Sequence, residues 1–295
     1  MKAIINDPKK DLSIPKFHRR VMVFDTETTG LMPKHKSGTP FPPIESYPHI
    51  MQFSWIVYNI TKNCIEEIVN EYVKIPKTVD ISAESMKVHG ITREIAEEKG
   101  KPITYLLSKF FVAYMKCDCI IAHNLRFDAE MVRKEMWRNR DELQRKTADS
   151  NLVNKMCGIF TKKYNDIYNI DTFCTMMNTI QFCNIDLSNN LVQPPLPQTL
   201  KEDPLPTHTV TTPETIFISE PKINIVAVSP KPPIRKKFPR LNELYSKLFE
   251  SELPADLHNS IIDVLVCLRC FLKVRGVVEM SELEFQTLIG TYSRT

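Results

Sequence analysis

The chain has 295 residues, a formal net charge of +4 and 42% hydrophobic residues, enough for one large domain or two small ones. Near-balanced charge excludes an overall basic field, so any contact with nucleic acid has to rest on local patches. No apolar run reaches the length of a membrane span and Met1–Arg20 lacks the apolar centre of a secretory leader, so the chain reads as soluble and intracellular, in cytoplasm or nucleus, without a membrane partner.

In chain order, residues 1–19 read as an N-terminal extension. Val21-Met22-Val23-Phe24 is an apolar, β-branched run and predicts a buried strand. The run ends in Asp25 and Glu27, which period-2 geometry places on one face. Acids crowded on one side of a core strand lose hydration and repel each other, and a hard divalent cation with oxygen ligands would balance them. Thr28-Thr29-Gly30 then breaks the strand, leaving backbone N–H groups open to a phosphate. Met32–Pro48 carries five Pro and reads as a loop-like insertion.

His49–Ile60 and Cys64–Ile75 predict a hairpin closed by Thr61-Lys62-Asn63. Ser82–His89 and Thr92–Glu98 read as two short helices with Ser82 and Thr92 as N-caps. A longer amphipathic helix follows over Pro102–Met115, then a short buried strand over Cys117–His123 and a helix over Leu125–Trp137. From Arg138 to Lys163 the chain turns basic and shows no clear period. Tyr168–Phe173 predicts a short strand, with a helix from Thr172 onward.

Residues 184–237 differ in kind. Eleven of the 21 Pro fall between Leu191 and Arg240, and the stretch reads as an extended, Pro-rich insertion. An apolar patch at Ile223–Val228 suits an edge strand or a partner. Five basic residues in Lys231–Arg240 suit a solvated linker, a nucleic-acid contact or an import signal. Leu241, Leu244, Tyr245, Leu248 and Phe249 have the spacing of a core-facing helix, and the next helix runs from Asn259 to Val274. The tail, 276–295, predicts a short helix. Cys267 and Cys270 form a C-x-x-C inside a helical pattern, with no second pair at zinc spacing, so core packing is the expectation.

Three stretches carry the chemistry. The first is Asp25-Thr26-Glu27. The second is His123-Asn124-Leu125-Arg126-Phe127-Asp128, where a strand ends and a helix presents Asp128 about one turn in. In the third, His258-Asn259-Ser260-Ile261-Ile262-Asp263, Asp263 falls in the first turns of a helix. Asp-x-Glu, His-Asn-x-x-Phe-Asp and His-x-x-x-x-Asp in this order resemble the DEDD exonucleases, and most narrowly the subgroup with a His in the third motif, typified by the proofreading subunit of bacterial DNA polymerase III. Lys87-Val88-His89-Gly90-Ile91-Thr92, Asp171-Thr172 and the Leu241 helix match in place. The likeness covers about residues 20–180 and 238–275. Ser260 departs from the family's usual Ala, and the insertions at 32–48 and 184–237 lie outside its minimal core.

The resemblance implies an α/β, ribonuclease H-like exonuclease fold: a mixed central sheet with an antiparallel second strand and helices on both faces. It makes 20–275 the exonuclease domain, interrupted at about 184–237. It implies a 3′→5′ exonuclease that acts on a DNA 3′ end, single-stranded or frayed, and releases nucleoside monophosphates. Two Mg²⁺ or Mn²⁺ ions would be held by Asp25, Glu27, Asp128 and Asp263, with His258 as general base. Thr28 and Leu31 would meet the terminal nucleotide, and Asn124 and Phe127 the adjacent sugar or base; Phe127 reads equally well as core. His123 and His89 read as supports. A DNA polymerase or another replication or repair protein is the implied partner. The alternatives are an RNA-directed exonuclease of the same subgroup and a non-catalytic nucleic-acid-binding replisome module. Few Gly and many Asn, Ile and Lys suit an AT-rich genome, microbial or viral.

Overall fold

The computed structural model describes residues 18–187, 236–255, 257–277 and 279–293. The apolar patch at 223–228, residues 231–235 of the basic run and residues 1–17 of the N-terminal extension lie outside the described residues. The strands among the described residues are β1 (Arg20–Thr28), β2 (Ile50–Asn59), β3 (Cys64–Lys74), β4 (Lys101–Pro102), β5 (Cys119–Ala122) and β6 (Asp171–Cys174). They form one sheet in the order β4-β3-β2-β1-β5-β6. β2 runs antiparallel to both β1 and β3, whereas β5 is parallel to β1 and β6 parallel to β5. This is the mixed sheet with an antiparallel second strand that the motifs implied. β4 is a two-residue edge piece that no periodicity announced.

Alternation along β1 and β2 sorts the side chains between two faces. Met22 and Phe24, with Val57 and Trp55 as their cross-strand partners, enter the main core. There they meet α3 (Ile103–Tyr114) and α4 (Leu125–Arg138) through Leu106, Phe110, Met131 and Val132, all fully buried. Phe24 and Phe110 pack edge to face with centroids 5.3 Å apart. Burying each such ring contributes on the order of 2–3 kcal/mol relative to exposure. The opposite face of β1 and β2 is covered by α11 (Ser260–Arg275), which is buried nearly all round. Its Cys267 and Cys270 are core thiols, and all eight Cys are free.

The helices α1 (Ala83–His89) and α2 (Arg93–Lys99) start as expected: Ser82 Oγ accepts the Ser85 N–H at 3.0 Å and Thr92 Oγ1 accepts the Ile95 N–H at 3.4 Å. The stretch 138–163, which showed no period in the sequence, is helical. It holds α5 (Arg140–Thr147), α6 (Ser150–Gly158) and the start of α7 (Lys162–Tyr168). Helices of two turns place too few apolar residues for a period to emerge, and local signals define them instead. Asp149 caps α6 by accepting from Asn151 N and Leu152 N, Thr161 caps α7, and Leu143, Val153 and Met156 are buried. Two short helices, α8 (Thr175–Asn178) and α9 (Ile180–Cys183), follow β6.

Ile185–Lys237 separates from the rest of the chain as its own unit. Its described ends pair with each other: Asp186 bridges Lys236, their side chains form an ion pair at 2.5 Å, and the Lys237 N–H donates to Ile185 O at 2.8 Å. The remaining chain adds α10 (Leu241–Phe249) and α12 (Glu282–Tyr292). No helix among the described residues is long and apolar enough to cross a membrane.

Candidate active site

β1 changes character where its parallel neighbour stops. The β5 ladder on β1 ends at Val23, so the Thr26 N–H on that side has no strand partner. Asp128, in the first turn of α4 and only 3% exposed, takes its place. Its Oδ1 accepts the Thr26 N–H at 3.1 Å and the Thr26 hydroxyl at 2.8 Å. Asp25 and Glu27 point the other way, toward α11. Asn124, in the left-handed region at φ 68°, makes the turn from β5 into α4.

Asp263 reaches the same place from α11. The approach to that helix is bent sharply at His258, whose φ is +79°. The Asp263 Oδ2 accepts the His258 N–H at 2.8 Å, so the carboxylate folds back over the helix start. One oxygen each of Asp25, Glu27 and Asp263 lies within 4.8 Å of the others. Asp128 stands beside this trio, held by Thr26. The His258 imidazole is exposed at the edge.

The helix start is fixed by β2. Gln52 and Ser54 stand directly across the ladder from Glu27 and Asp25. Both are buried, and neither bonds the acids. The Gln52 amide donates to Asn70 Oδ1 at 2.8 Å and Asn259 Oδ1 at 3.0 Å, and its oxygen accepts the Ser260 N–H at 3.2 Å. Ser54 donates to Asn70 Oδ1 at 2.9 Å, and its Oγ lies 2.5 Å from Ser260 Oγ. Ser260, where the resemblance leads one to expect Ala, thus has a hydroxyl partner. The only trace of this network in the sequence is the pair of polar residues in the otherwise apolar strand MQFSWIV.

Four acids with no balancing base among the described residues raise one another's proton affinity. Asp25 is pushed well above the usual carboxylate range by burial first, then by Asp128, Asp263 and Glu27. Burial and the charges of Asp263 and Asp128 push Glu27 up to about 8. Asp128 and Asp263 rise to about 7, again through burial, against the lowering effect of their hydrogen bonds from Thr26 and His258. A cluster of oxygen donors that holds protons this firmly suits a hard divalent cation, which would replace the protons.

The other expected residues divide by exposure. Leu31 is 85% exposed. Thr28 is buried and donates its hydroxyl to Gly30 O at 2.7 Å, within the turn. Phe127 is half-buried and packs one side on the main core. His89 Nε2 donates to Thr28 O at 3.2 Å and its Nδ1 accepts the Ile91 N–H, tying α1 to the end of β1. His123 is saturated: Nε2 donates to Pro239 O at 3.0 Å and Nδ1 accepts from the Thr175 hydroxyl at 2.9 Å. Burial lowers it to about 4, as suits a neutral ring. Cys174, Cys183, Cys267 and Cys270 form no cation site among the described residues.

A ribonuclease H-like sheet with acids gathered where β1 ends defines the class. The family profile described as Exonuclease (RNase_T) matches residues 22–182, more than half of the chain, and the protein belongs to this exonuclease family. The DNA polymerase III subunit epsilon of Buchnera aphidicola subsp. Schizaphis graminum is 24% identical over 163 residues, 55% of this chain and 54% of that protein, so the match spans about half of the relative. Two structures of E. coli Exonuclease I share the fold. The complex with a dT13 oligonucleotide has TM-score 0.50 and 15% identity over 87% of this chain and 41% of the other. The complex with dA16 has TM-score 0.51 and 16% identity over 91% and 42%.

The acid cluster sets a pH dependence of stability. The native carboxylates hold protons that the unfolded chain, titrating near pH 4, has released, so metal-free stability falls as pH rises toward 8. His123, depressed in the native state, acts in the opposite sense only below about pH 6.5. Between pH 7 and 8 the chelated protein should therefore lose thermal stability, and Mn²⁺ or a Glu27→Gln substitution should flatten the slope. A flat or rising midpoint for the chelated wild type would contradict the cluster. The β2 network gives a second expectation. Gln52→Leu removes the grip on Asn259 and Ser260, and should raise the Mn²⁺ concentration for half-maximal thermal stabilisation about tenfold. An unchanged titration would mean that the network does not position Asp263.

Proposed function

We propose that this protein is a metal-dependent 3′→5′ exonuclease that hydrolyses the terminal phosphodiester of a single-stranded or frayed DNA end and releases nucleoside monophosphates. The observation that carries the reading is the convergence of Asp25, Glu27 and Asp263, from segments more than 200 residues apart, within 4.8 Å, with Asp128 beside them. A polymerase III subunit among the relatives and DNA-bound Exonuclease I among the similar folds support DNA as the substrate class.

In this reading Asp25, Glu27, Asp128 and Asp263 hold two Mg²⁺ or Mn²⁺ ions. Bound there, the ions supply charge neutralisation for the phosphate and acidify a water. His258 takes the proton from that water. Its main-chain N–H is committed to Asp263 and its ring is exposed, so the imidazole is anchored beside the acids yet accessible. Leu31 offers an uncovered apolar surface to the terminal nucleotide. Thr28 shapes the turn under it through Gly30 O, and Asn124 and the edge of Phe127 meet the next sugar or base.

On an oligonucleotide labelled at its 5′ end, the protein with Mg²⁺ should produce a descending ladder, whereas a 3′ label should leave as a mononucleotide in one step. Chelator or Asp25→Asn should abolish both, with the fold intact by circular dichroism. Retention of the strand without shortening would identify a binding module, and shortening of RNA in preference to DNA would move the substrate class. His258→Ala should slow cleavage by about 10²–10⁴-fold and change the shape of the pH–rate profile. A profile of unchanged shape would remove His258 from the role of base.

A further inference from the structure

The insertion 32–48 leaves the site at Leu31 and returns to it at His49. Its two ends are joined, since the Thr29 N–H donates to His49 O at 2.9 Å and the His49 N–H to the Thr29 hydroxyl at 3.0 Å. Its root is held by Arg138, which donates to the carbonyls of Tyr47 at 2.8 Å and Ile44 at 3.1 Å. Arg138 is itself paired at 2.6 Å with Glu135, a carboxylate only 2% exposed.

The tip has hydrogen bonds of its own. Lys36–Thr39 is a tight turn closed by the Thr39 N–H on Lys36 O at 3.2 Å. Gly38 at its third position has φ +84°, a value that side-chain-bearing residues avoid. The turn lays His35 parallel to Phe41, with ring centroids 4.6 Å apart and planes 8° apart. The His35 Nε2 donates to Thr39 O at 2.9 Å and fixes the imidazole. Phe41 is 79% exposed. A built loop therefore displays a flat aromatic pair with an uncovered face, and Lys34 and Lys36, both exposed, flank His35.

We infer that the His35–Phe41 pair is a stacking platform for a base of the substrate strand beyond the terminal nucleotide, with Lys34 and Lys36 on its phosphates. The inference rests on the nuclease reading, which brings a polyanion with exposed π-faces to Leu31. Flat rings interleaved with cations are the chemistry that holds a single strand without regard to sequence. The ten residues from Leu31 to Phe41 confine the platform to within roughly 35 Å of the site. That lies within the tracts of roughly 4–16 nucleotides that single-strand binding surfaces occupy.

The test separates binding from cleavage. In the full chain carrying Asp25→Asn, a fluorescein-labelled dT20 is titrated by anisotropy at low salt. Phe41→Ala should raise Kd about tenfold, the loss of one base–aromatic stack, and Phe41→Trp should restore it. Lys34→Ala with Lys36→Ala should lower the slope of log Kd against log salt by about 1.4. With Asp25 restored, Phe41→Ala should leave hydrolysis of the p-nitrophenyl ester of thymidine 5′-monophosphate, which reaches only the cleavage site, unchanged. Equal dT20 affinity with and without Phe41, or no binding of dT20, overturns the platform. Failure of the otherwise unsubstituted protein to cleave either ester or oligonucleotide, with the Phe41 effect on binding intact, overturns the nuclease reading alone.

Discussion

Mutual repulsion among Asp25, Glu27, Asp128 and Asp263 is the constraint around which the structure is arranged. Left to itself, a sheet would not gather acids at one point, because each loses hydration and gains like-charged neighbours. The fold imposes the cluster through groups that are neutral. Thr26 holds Asp128 by its N–H and hydroxyl, the His258 N–H holds Asp263, and Gln52, Ser54 and Asn70 hold the start of the helix that carries Asp263. None of these groups neutralises an acid. The charge imbalance is left for protons or a cation to answer.

β2 serves two purposes, and its antiparallel register is the reason. One face presents Phe53, Trp55 and Val57 to the aromatic core under α3 and α4. The other places Gln52 and Ser54 opposite Glu27 and Asp25, where they are free to bond α11 because the acids already point into the cluster. A shift of one residue in this register would bury the amide in the apolar core and turn Trp55 toward the site. The large apolar face therefore fixes the register that the polar face needs.

The insertion at 32–48 is tied to this framework at both ends. The Thr29–His49 pair and the Arg138–Glu135 pair close the root of 32–48. Beyond the Pro-rich segment, His123 receives the returning chain at Pro239 and so ties the second motif to the entry of α10. A half-buried neutral imidazole suits this task, since it donates to the carbonyl on one side and accepts from a hydroxyl on the other without bringing in a charge.

Much of this was legible in the sequence. The alternation through Asp25 and Glu27, the hairpin of β2 and β3, the caps at Ser82 and Thr92 and the apolar stripes of α10 and α11 are local patterns, set by residues a few positions apart. The order of the acid motifs pointed to the family and its sheet. The short helices between Arg140 and Tyr168 escaped detection because two turns are too few to display a period. Tertiary structure alone decided which partners hold the acids. Thr26 meets Asp128 across 102 positions and Ser54 meets Ser260 across 206, and pattern within one segment carries no information about contacts at that range. It also decided that His35 lies flat against Phe41, since that stack follows from the Lys36–Thr39 turn within a loop whose ends are anchored by Thr29 and Arg138.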